Sequence, residues 1–471
     1  MKNSHLVAIL QTFSKKEIRE MRKWLHSPIH NQREDVVDLF DYLMAGKHLS
    51  EEKFLEKEKI FPKLFPNQSY DDAKFRQTVH FLLKSTEEFL VVCDLLKNKT
   101  AQQVSLTQNL RRRNLEKPFF KSLQEAKNVH EASQFRNFNF YRNEYLIQLE
   151  QYTSMEGKER MTEMNLQEVS DSLDIYFIAE KLKESCRMIF HQHVYKVQYK
   201  IGLLNEIITH IESNPELLNI PAISIYYYVF KAITAENSSG YFENIRTQIQ
   251  NNGNYFPPSE IKEIYLMAIN YCIGKANTGR GDIFIKHTYE FFKHGFENKI
   301  FVENGIISRF TFRNAISAAL RMKEYDWVNY FIHAFKDFLE EPYRESFFLH
   351  GLARLKFESK QYEEAMKLLV STNFDDLLTN LNAKTMLLKM YYELDEDDAL
   401  DSLLESMRTY IHRKKVMGYH KENYQNLIRY TKKIARVNPF KKEDVKALKT
   451  EILTAIPLTE KDWLLQQLDN L

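Results

Sequence analysis

The sequence predicts an all-α protein, and three observations carry that prediction. Only 12 glycines and 11 prolines are spread over 471 residues, whereas sheet-rich proteins need turn residues more often. Apolar residues make up 44% of the chain and charged residues 28%. The apolar residues recur at steps of three and four, which places them on one face of a helix. Long helices with few breaks account for all three observations.

The length of the chain predicts more than one folding region, because 471 residues are too many for one compact core. Breaks in the helical pattern divide it into four regions. These are a helical N-terminal domain over 1–96, a helical region with weak hairpin repeats over 97–300, hairpin repeats over 301–413, and basic C-terminal helices with a cap over 414–471.

Charge and cysteine content argue against several classes of protein. The formal net charge of +2 favours neither a nucleic acid nor a membrane surface as partner of the whole molecule. Cys93, Cys186 and Cys272 lie far apart with no CxxC spacing, as expected in a reducing compartment. The apolar run at 6–10 is too short for a signal peptide, and no run is long enough to span a membrane. We therefore expect a soluble cytoplasmic protein without membrane insertion.

The pattern of the first hundred residues predicts several helices separated by clear breaks. Ser14 and Glu17 have the spacing of a capping box, with Phe13 and Ile18 as its hydrophobic staple, and that helix should stop before Pro28. Further helices are predicted at about 33–45, 51–61 and 71–96, with a break at the prolines of 61–66.

Helical patterns continue over 101–157 and in a long stretch over about 165–201. Breaks rich in Asn, Pro and Gly then follow at 214–215, 237–240, 252–253, 257–258 and 278–281. The segments between these breaks have the length of the helices in helical hairpins.

A period of 34 to 37 residues appears in the second half of the chain. Tyr362 follows Tyr325 by 37 residues, and Ala399 follows Ala365 by 34 residues. A fixed period of this size indicates a helical repeat. We predict three helical hairpins over about 309–413.

The best unit, Tyr343–Thr372, resembles the tetratricopeptide repeat (TPR) family in the positions of Leu349, Leu352, Ala353, Tyr362, Ala365 and Leu369. It departs from that family at Lys356, where an aromatic is usual, at Lys360, which replaces the turn glycine, and in lacking a closing proline. The chain as a whole also resembles uncharacterised bacterial helical-repeat proteins. The resemblance implies a TPR-like α-solenoid of stacked hairpins after the N-terminal domain.

The resemblance also implies that the first helix of each hairpin lines a concave face. The residues it would place there include Phe310, Arg313, Ser317, Arg321, Phe347, His350, Arg354, Phe357, Lys384 and Tyr391. Aromatic rings among cations would suit a protein or peptide partner with acidic groups. Ordinary core packing or solvation explains several of these residues equally well. The asparagine-and-lysine carboxylate clamp of some chaperone-binding members of the family is not reproduced.

Two groups of histidines deserve comparison with metal sites. His191 and His193 would point about 200° apart on a helix, so one ion could not bind both. His287, Glu290 and His294 share a helical face, but a zinc hydrolase would need the HExxH pattern or a further ligand. An exposed Glu290–His294 pair is the simpler interpretation.

Motifs for catalysis are missing from the sequence. There is no P-loop, no dinucleotide-binding glycine pattern and no nucleophile elbow. We therefore predict no catalytic residue, no metal and no cofactor, although a site assembled from distant residues would leave no local signature.

The stretch 412–442, called the basic stretch below, carries ten lysines and arginines against Glu422 alone, interleaved with tyrosines. Such a stretch can bind nucleic acid or an acidic protein, or it can offset acidic neighbours such as those of 395–405. The candidate residues for an anionic partner are Arg413, Lys414, Lys415, Arg429, Lys432, Lys433 and Arg436. After it, Thr459 predicts the start of a short final helix that caps the array.

These patterns favour a non-enzymatic scaffold or adaptor that binds a peptide or protein segment through a TPR-like concave surface. A first alternative is a nucleic-acid-associated factor that uses the basic stretch. A second alternative is an enzyme with a site built from non-local residues.

Overall fold

The computed structural model describes residues 1–156, 164–195, 197–235, 239–277, 282–372, 374, 376–413 and 419–471. Within these ranges the regular structure is helical, and β-type pairing is limited to two isolated bridges, Glu303 with Ile306 and Ile307 with Leu339. The prediction of an all-α protein is confirmed.

The chain forms two compact units, Met1–Glu180 and Lys181–Leu471. The helices that begin in the first unit are α1 (His5–Leu10), α2 (Lys15–Leu25), α3 (Glu34–Met44), α4 (Lys57–Leu64), α5 (Asp72–Leu95), α6 (Lys99–Arg112), α7 (Glu116–Glu131), α8 (Phe138–Met155) and α9 (Leu166–Tyr195). The boundary between the units lies inside α9. The division into four sequence regions stays a prediction.

The start of α2 forms as its sequence predicts. The Ser14 hydroxyl accepts from the Glu17 N–H at 3.2 Å, and the Glu17 carboxylate accepts from the Ser14 N–H at 2.8 Å. Phe13 and Ile18 both pack against the core of the first unit. This capping box fixes where the chain enters the helix.

The predicted break at 61–66 is wrong in its position. Helix α4 runs through Pro62 and ends at Leu64. Ile60, Phe61 and Leu64 are buried in the core of the first unit. Burial of this apolar face outweighs the hydrogen bond that a proline removes from a helix.

The second unit contains fourteen further described α-helices. They are α10 (Leu204–Ser213), α11 (Pro221–Thr234), α12 (Ser239–Asn252), α13 (Pro258–Asn277), α14 (Asp282–Glu297), α15 (Arg309–Arg321), α16 (Tyr325–Phe335), α17 (Arg344–Glu358), α18 (Tyr362–Ser371), α19 (Leu377–Glu393), α20 (Asp397–Arg413), α21 (Tyr419–Arg436), α22 (Lys442–Thr454) and α23 (Lys461–Asp469). The six helices from α15 to α20 match the three hairpins predicted over 309–413. Within each pair the helices pack together, and α17 also packs against both α15 and α19.

The three hairpins share one turn geometry. Lys323, Lys360 and Asp395, each just beyond the first helix of a pair, have φ angles of +59°, +62° and +57°. The next residue in each case donates its N–H to the carbonyl five positions earlier, at 2.8–3.0 Å. This is the left-handed helix end that glycine usually provides. The absence of a turn glycine therefore leaves the repeat intact.

Small residues allow close contact between helices of this array. Ala353 on α17 and Ala365 on α18 have no exposed surface. Gly351 faces α15 so closely that a Cβ atom there would lie 2.8 Å from the Ile316 side chain. A larger residue here would force the end of the Ile316 side chain to move, so Gly351 favours the close contact that brings the polar side chains of α15 and α17 together.

Candidate functional site

The arginine face is the surface on α15 and α17 formed by Phe310, Arg313, Ser317, His350 and Arg354. Arg313 and Ser317 lie one turn apart on α15, and His350 and Arg354 lie one turn apart on α17. The two helices are joined across this face because Arg354 Nη1 donates to Ser317 Oγ at 2.5 Å.

No carboxylate forms an ion pair with the arginines of this face among the described residues, although the charge of Arg313 helps to lower the pKa of Asp376 at the start of α19. Arg313 and Arg354 are both partly buried. Burial lowers the pKa of Arg354. The carboxylate of Glu358 opposes this effect, the positive charge of Arg313 adds to it, and Glu460 opposes it more weakly. The positive charges of Arg313 and Arg354 repel each other, and an anion bound between them would relieve this repulsion.

His350 links the arginine face to α19. It is 2% exposed, and its Nε2–H donates to Asn382 Oδ1 at 3.1 Å. Burial, followed by the positive charges of Arg354 and Arg313, lowers the pKa of His350 to about 3. The imidazole is therefore neutral at physiological pH, and it positions helices rather than carrying charge.

The aromatic groups near this face divide into one exposed ring and one buried ring. Phe310 is 45% exposed, with the guanidinium carbons of Arg309 and Arg313 at 4.6 and 5.7 Å from its ring centre. Phe347 is 2% exposed and belongs to the core. Phe310 is thus the ring that a bound segment could contact, while Phe347 supports the helices beneath.

The other predicted groove residues lie elsewhere on the repeat. Lys384 faces α20, where its Nζ donates to Ser406 Oγ at 3.2 Å. Phe357 stacks on Tyr362 with ring centres 5.6 Å apart, and Tyr391 is partly buried against the core. Arg321 is exposed and borders a cavity of about 140 Å³ that Ser317 also lines. Partner binding by any of these residues stays a prediction.

A larger cleft, of about 550 Å³, lies between α23 and the ends of α17 and α19. Glu393 on its wall accepts from the Tyr362 hydroxyl at 2.5 Å and from Trp463 Nε1 at 2.8 Å. Lys389 forms an ion pair with Glu460. The sequence could not predict this cleft, because Glu393 and Trp463 are 70 positions apart and lie in no common motif.

Among the described residues, three of the ten basic side chains of the basic stretch are paired with acidic side chains. Lys432 lies 2.5 Å from Glu405, Lys433 lies 2.5 Å from Glu451, and Arg436 lies 3.5 Å from Asp401. The two remaining candidates that can be placed are Arg429, which donates to the hydroxyl of Tyr430 at 2.6 Å, and Arg413, which is exposed. Lys414 and Lys415 lie outside the described residues.

The histidines compared with metal sites are placed as follows. His191 Nδ1 lies 2.9 Å from the Tyr199 hydroxyl, and the side chain of His193 lies outside the described part of the chain. His294 hydrogen-bonds to the hydroxyl of Tyr265, not to Glu290. The predicted Glu290–His294 pair is therefore wrong: His294 Nδ1 is bonded to Tyr265 from α13, and Glu290 accepts from Arg246.

A different carboxylate joins His287 and Glu290. Glu243 lies on α12. One ligand atom from each of Glu243, His287 and Glu290 lies within 4.8 Å of the other two. Arg246 donates to both Glu243 and Glu290, and burial lowers the pKa of His287. No spacing rule connects Glu243 to His287, since they stand on different helices.

No helix in the described ranges has both the length and the apolar character needed to cross a membrane. Compared with protein-family models, with curated proteins and with solved structures, the chain matches none of them.

Proposed function

We propose that this chain is a TPR-like, non-catalytic interaction protein that binds an acidic segment of a partner protein on the arginine face. The observation that carries the proposal is the pair Arg313 and Arg354, which face each other from adjacent helices with no carboxylate at ion-pair distance among the described residues. An acidic side chain or a terminal carboxylate from a partner would provide the missing counter-charge.

The surroundings of the arginine pair also suit a protein segment. Phe310 offers an exposed ring beside the charges, and an aromatic ring next to arginine is a common anchor in interfaces. The close contact at Gly351 and the hydrogen bond from His350 to Asn382 hold α15, α17 and α19 in place. A face held in this way loses little conformational entropy when it binds.

The repeated left-handed turns and the three helix pairs support the TPR-like part of the proposal. Hairpins that share one turn geometry repeat the same arrangement along the chain, and such arrays expose an extended surface. Three free cysteines, two of them buried, fit a reducing compartment such as the cytoplasm. Burial raises the pKa of the Cys186 thiol, which makes it unreactive.

The alternative of a nucleic-acid-associated factor finds less support. Lys432, Lys433 and Arg436 each lie beside a carboxylate from a neighbouring helix. Those carboxylates would compete with phosphate groups for the same cations. An enzyme with a non-local site remains the other alternative, and no group of side chains described above favours a particular reaction.

The test is capture of partners from the native cell with the wild-type chain and with two variants. The double variant Arg313→Glu, Arg354→Glu reverses the charge of the arginine face. The double variant Lys367→Glu, Arg408→Glu makes the same change in charge at exposed positions on α18 and α20, outside the predicted site residues, and is the matched control. We expect a partner that is recovered with the wild type and with this control and is lost with Arg313→Glu, Arg354→Glu.

A direct titration of the purified partner then follows, with far-UV circular dichroism to show that each variant is folded. Affinity for the wild type should fall as salt is raised, because screening weakens the ionic contacts. Equal affinity of the wild type and of Arg313→Glu, Arg354→Glu would contradict the proposal.

A further inference from the structure

A second group of side chains, on α12 and α14, has the composition of a metal site. Glu243, His287 and Glu290 place one oxygen or nitrogen donor each within 4.8 Å of one another. His287 and Glu290 are three positions apart on α14, so both side chains leave the same face of the helix. Glu243 approaches from α12, which packs against α14.

His287 is the unusual member of this group. It is 3% exposed, and neither of its ring nitrogens has a hydrogen-bond partner. Its Nδ1 lies 3.7 Å from Glu290 Oε2, and its ring stacks on Phe242 with centres 5.1 Å apart. Buried polar groups are nearly always satisfied, so a buried imidazole held in place beside two carboxylates calls for a ligand.

Arg246 binds the carboxylates of Glu243 and Glu290 but makes no hydrogen bond to the ring nitrogens of His287. Its guanidinium donates to both Glu243 and Glu290. A guanidinium has only donors, and here it makes no hydrogen bond to His287. The Arg246 side chain is 23% exposed, so it has a route into solvent. Lys286, 3.9 Å from Glu290 and largely exposed, is the other cation near the group.

The donor set selects a class of ion. Calcium and magnesium prefer oxygen ligands alone, whereas one imidazole nitrogen with two carboxylate oxygens suits zinc and its first-row neighbours. Three protein ligands would leave the fourth tetrahedral position for water. Such an ion would use all three donors, including the imidazole that Arg246 leaves without a partner.

We propose that Glu243, His287 and Glu290 form a binding site for Zn²⁺, which the ion enters by displacing the guanidinium of Arg246. The ion would join α12 to α14 in the second unit. This site is separate from the arginine face, and it neither requires nor excludes the proposed partner binding.

The test is a titration of the purified full chain with Zn²⁺, measured by calorimetry and by competition with a chromogenic chelator. We expect one equivalent of Zn²⁺ to bind and to raise the melting temperature, because a ligand that binds only the folded state stabilises it. Co²⁺ in place of Zn²⁺ should give the visible absorption of a low-coordinate nitrogen and oxygen site.

Four variants identify the ligands. Glu243→Gln, at an exposed position, and His287→Gln should each weaken binding at least about tenfold, the loss that removal of even an outer-shell partner produces. Arg246→Met should strengthen binding by about tenfold or more, because it removes a competing positive charge. His294→Gln, on the same helix but bonded to Tyr265, is the control and should bind like the wild type.

Two results would overturn the proposed zinc site. Unchanged affinity in Glu243→Gln would overturn the proposal, and this exposed substitution is the one least able to disturb the fold. Binding by Arg246→Met alone, with none by the wild type, would also overturn it, because Arg246 would then be the permanent cation of the group.

Discussion

Replacement of Lys183 by methionine should destabilise the second unit strongly. Lys183 on α9 and Glu260 on α13 are each 6% exposed, and the ammonium nitrogen lies 2.9 Å from a carboxylate oxygen. The Tyr226 hydroxyl donates to the same oxygen at 2.8 Å. Methionine keeps the length of the side chain and removes only its charge and its donors, so the variant leaves a buried carboxylate without its counter-ion.

The expected magnitude follows from the distance and the burial. At an effective dielectric constant of about 20, two unit charges 2.9 Å apart attract each other by about 6 kcal/mol. Part of that attraction offsets the desolvation of the two groups. Loss of one partner from a buried pair therefore lowers the free energy of unfolding by about 3–5 kcal/mol.

The measurement is urea-induced unfolding followed by far-UV circular dichroism. Lys433→Met is the matched control, because Lys433 pairs with Glu451 at 2.5 Å while both side chains are nearly half exposed. An exposed pair contributes at most about 1 kcal/mol. The double variant Lys183→Met, Glu260→Gln should recover most of the loss, since it removes the charge of the buried carboxylate as well. Similar losses for Lys183→Met and Lys433→Met, or no recovery in the double variant, would refute the reasoning.

Two further predictions concern the repeat helices. The pKa of His350 is lowered to about 3 from 6.5, so its contribution to stability is complete above pH 6.5 and is lost as the pH falls toward 3. Between pH 6.5 and 5 the free energy of unfolding of the wild type should therefore fall by about 2 kcal/mol more than that of His350→Gln. Urea unfolding at each pH measures this difference. Lys323→Gly should raise the free energy of unfolding by about 0.5–1 kcal/mol, because glycine accepts a φ of +59° without strain and the Lys323 side chain is exposed. Lys367→Gly, within α18, should lower it by about 1 kcal/mol, and a loss in both variants would contradict the turn argument.

Local rules predicted much of the helical structure. The Ser14 capping box and the ends of α15 to α20 depend on residues a few positions apart, and these interactions survive in the folded chain. The position of the break near Pro62 depends on which side chains reach the core. That information is not local, and the predicted boundary of α4 is therefore wrong.

The predicted site residues separate for a similar reason. A resemblance assigns whole helices to a face, but each residue lies at its own angle around the helix axis. Arg354 turns toward α15 and His350 toward α19, whereas Lys384 turns toward α20. Glu243 and Glu460 could not be found at all from the sequence, because the helices that bring them to their neighbours are distant in the chain.

Charge density along the sequence is a poor guide to binding in this protein. The basic stretch is the most positive segment, yet Lys432 and Lys433 lie beside carboxylates that come from α20 and α22. Arg313 and Arg354 are single cations in segments of ordinary composition, and the described chain supplies neither with a carboxylate at ion-pair distance. Since an ion pair within the protein competes with one to a partner, the unpaired charges matter more than the number of charges. We therefore propose the arginine face, rather than the paired cations Lys432, Lys433 and Arg436, as the place where an acidic partner binds.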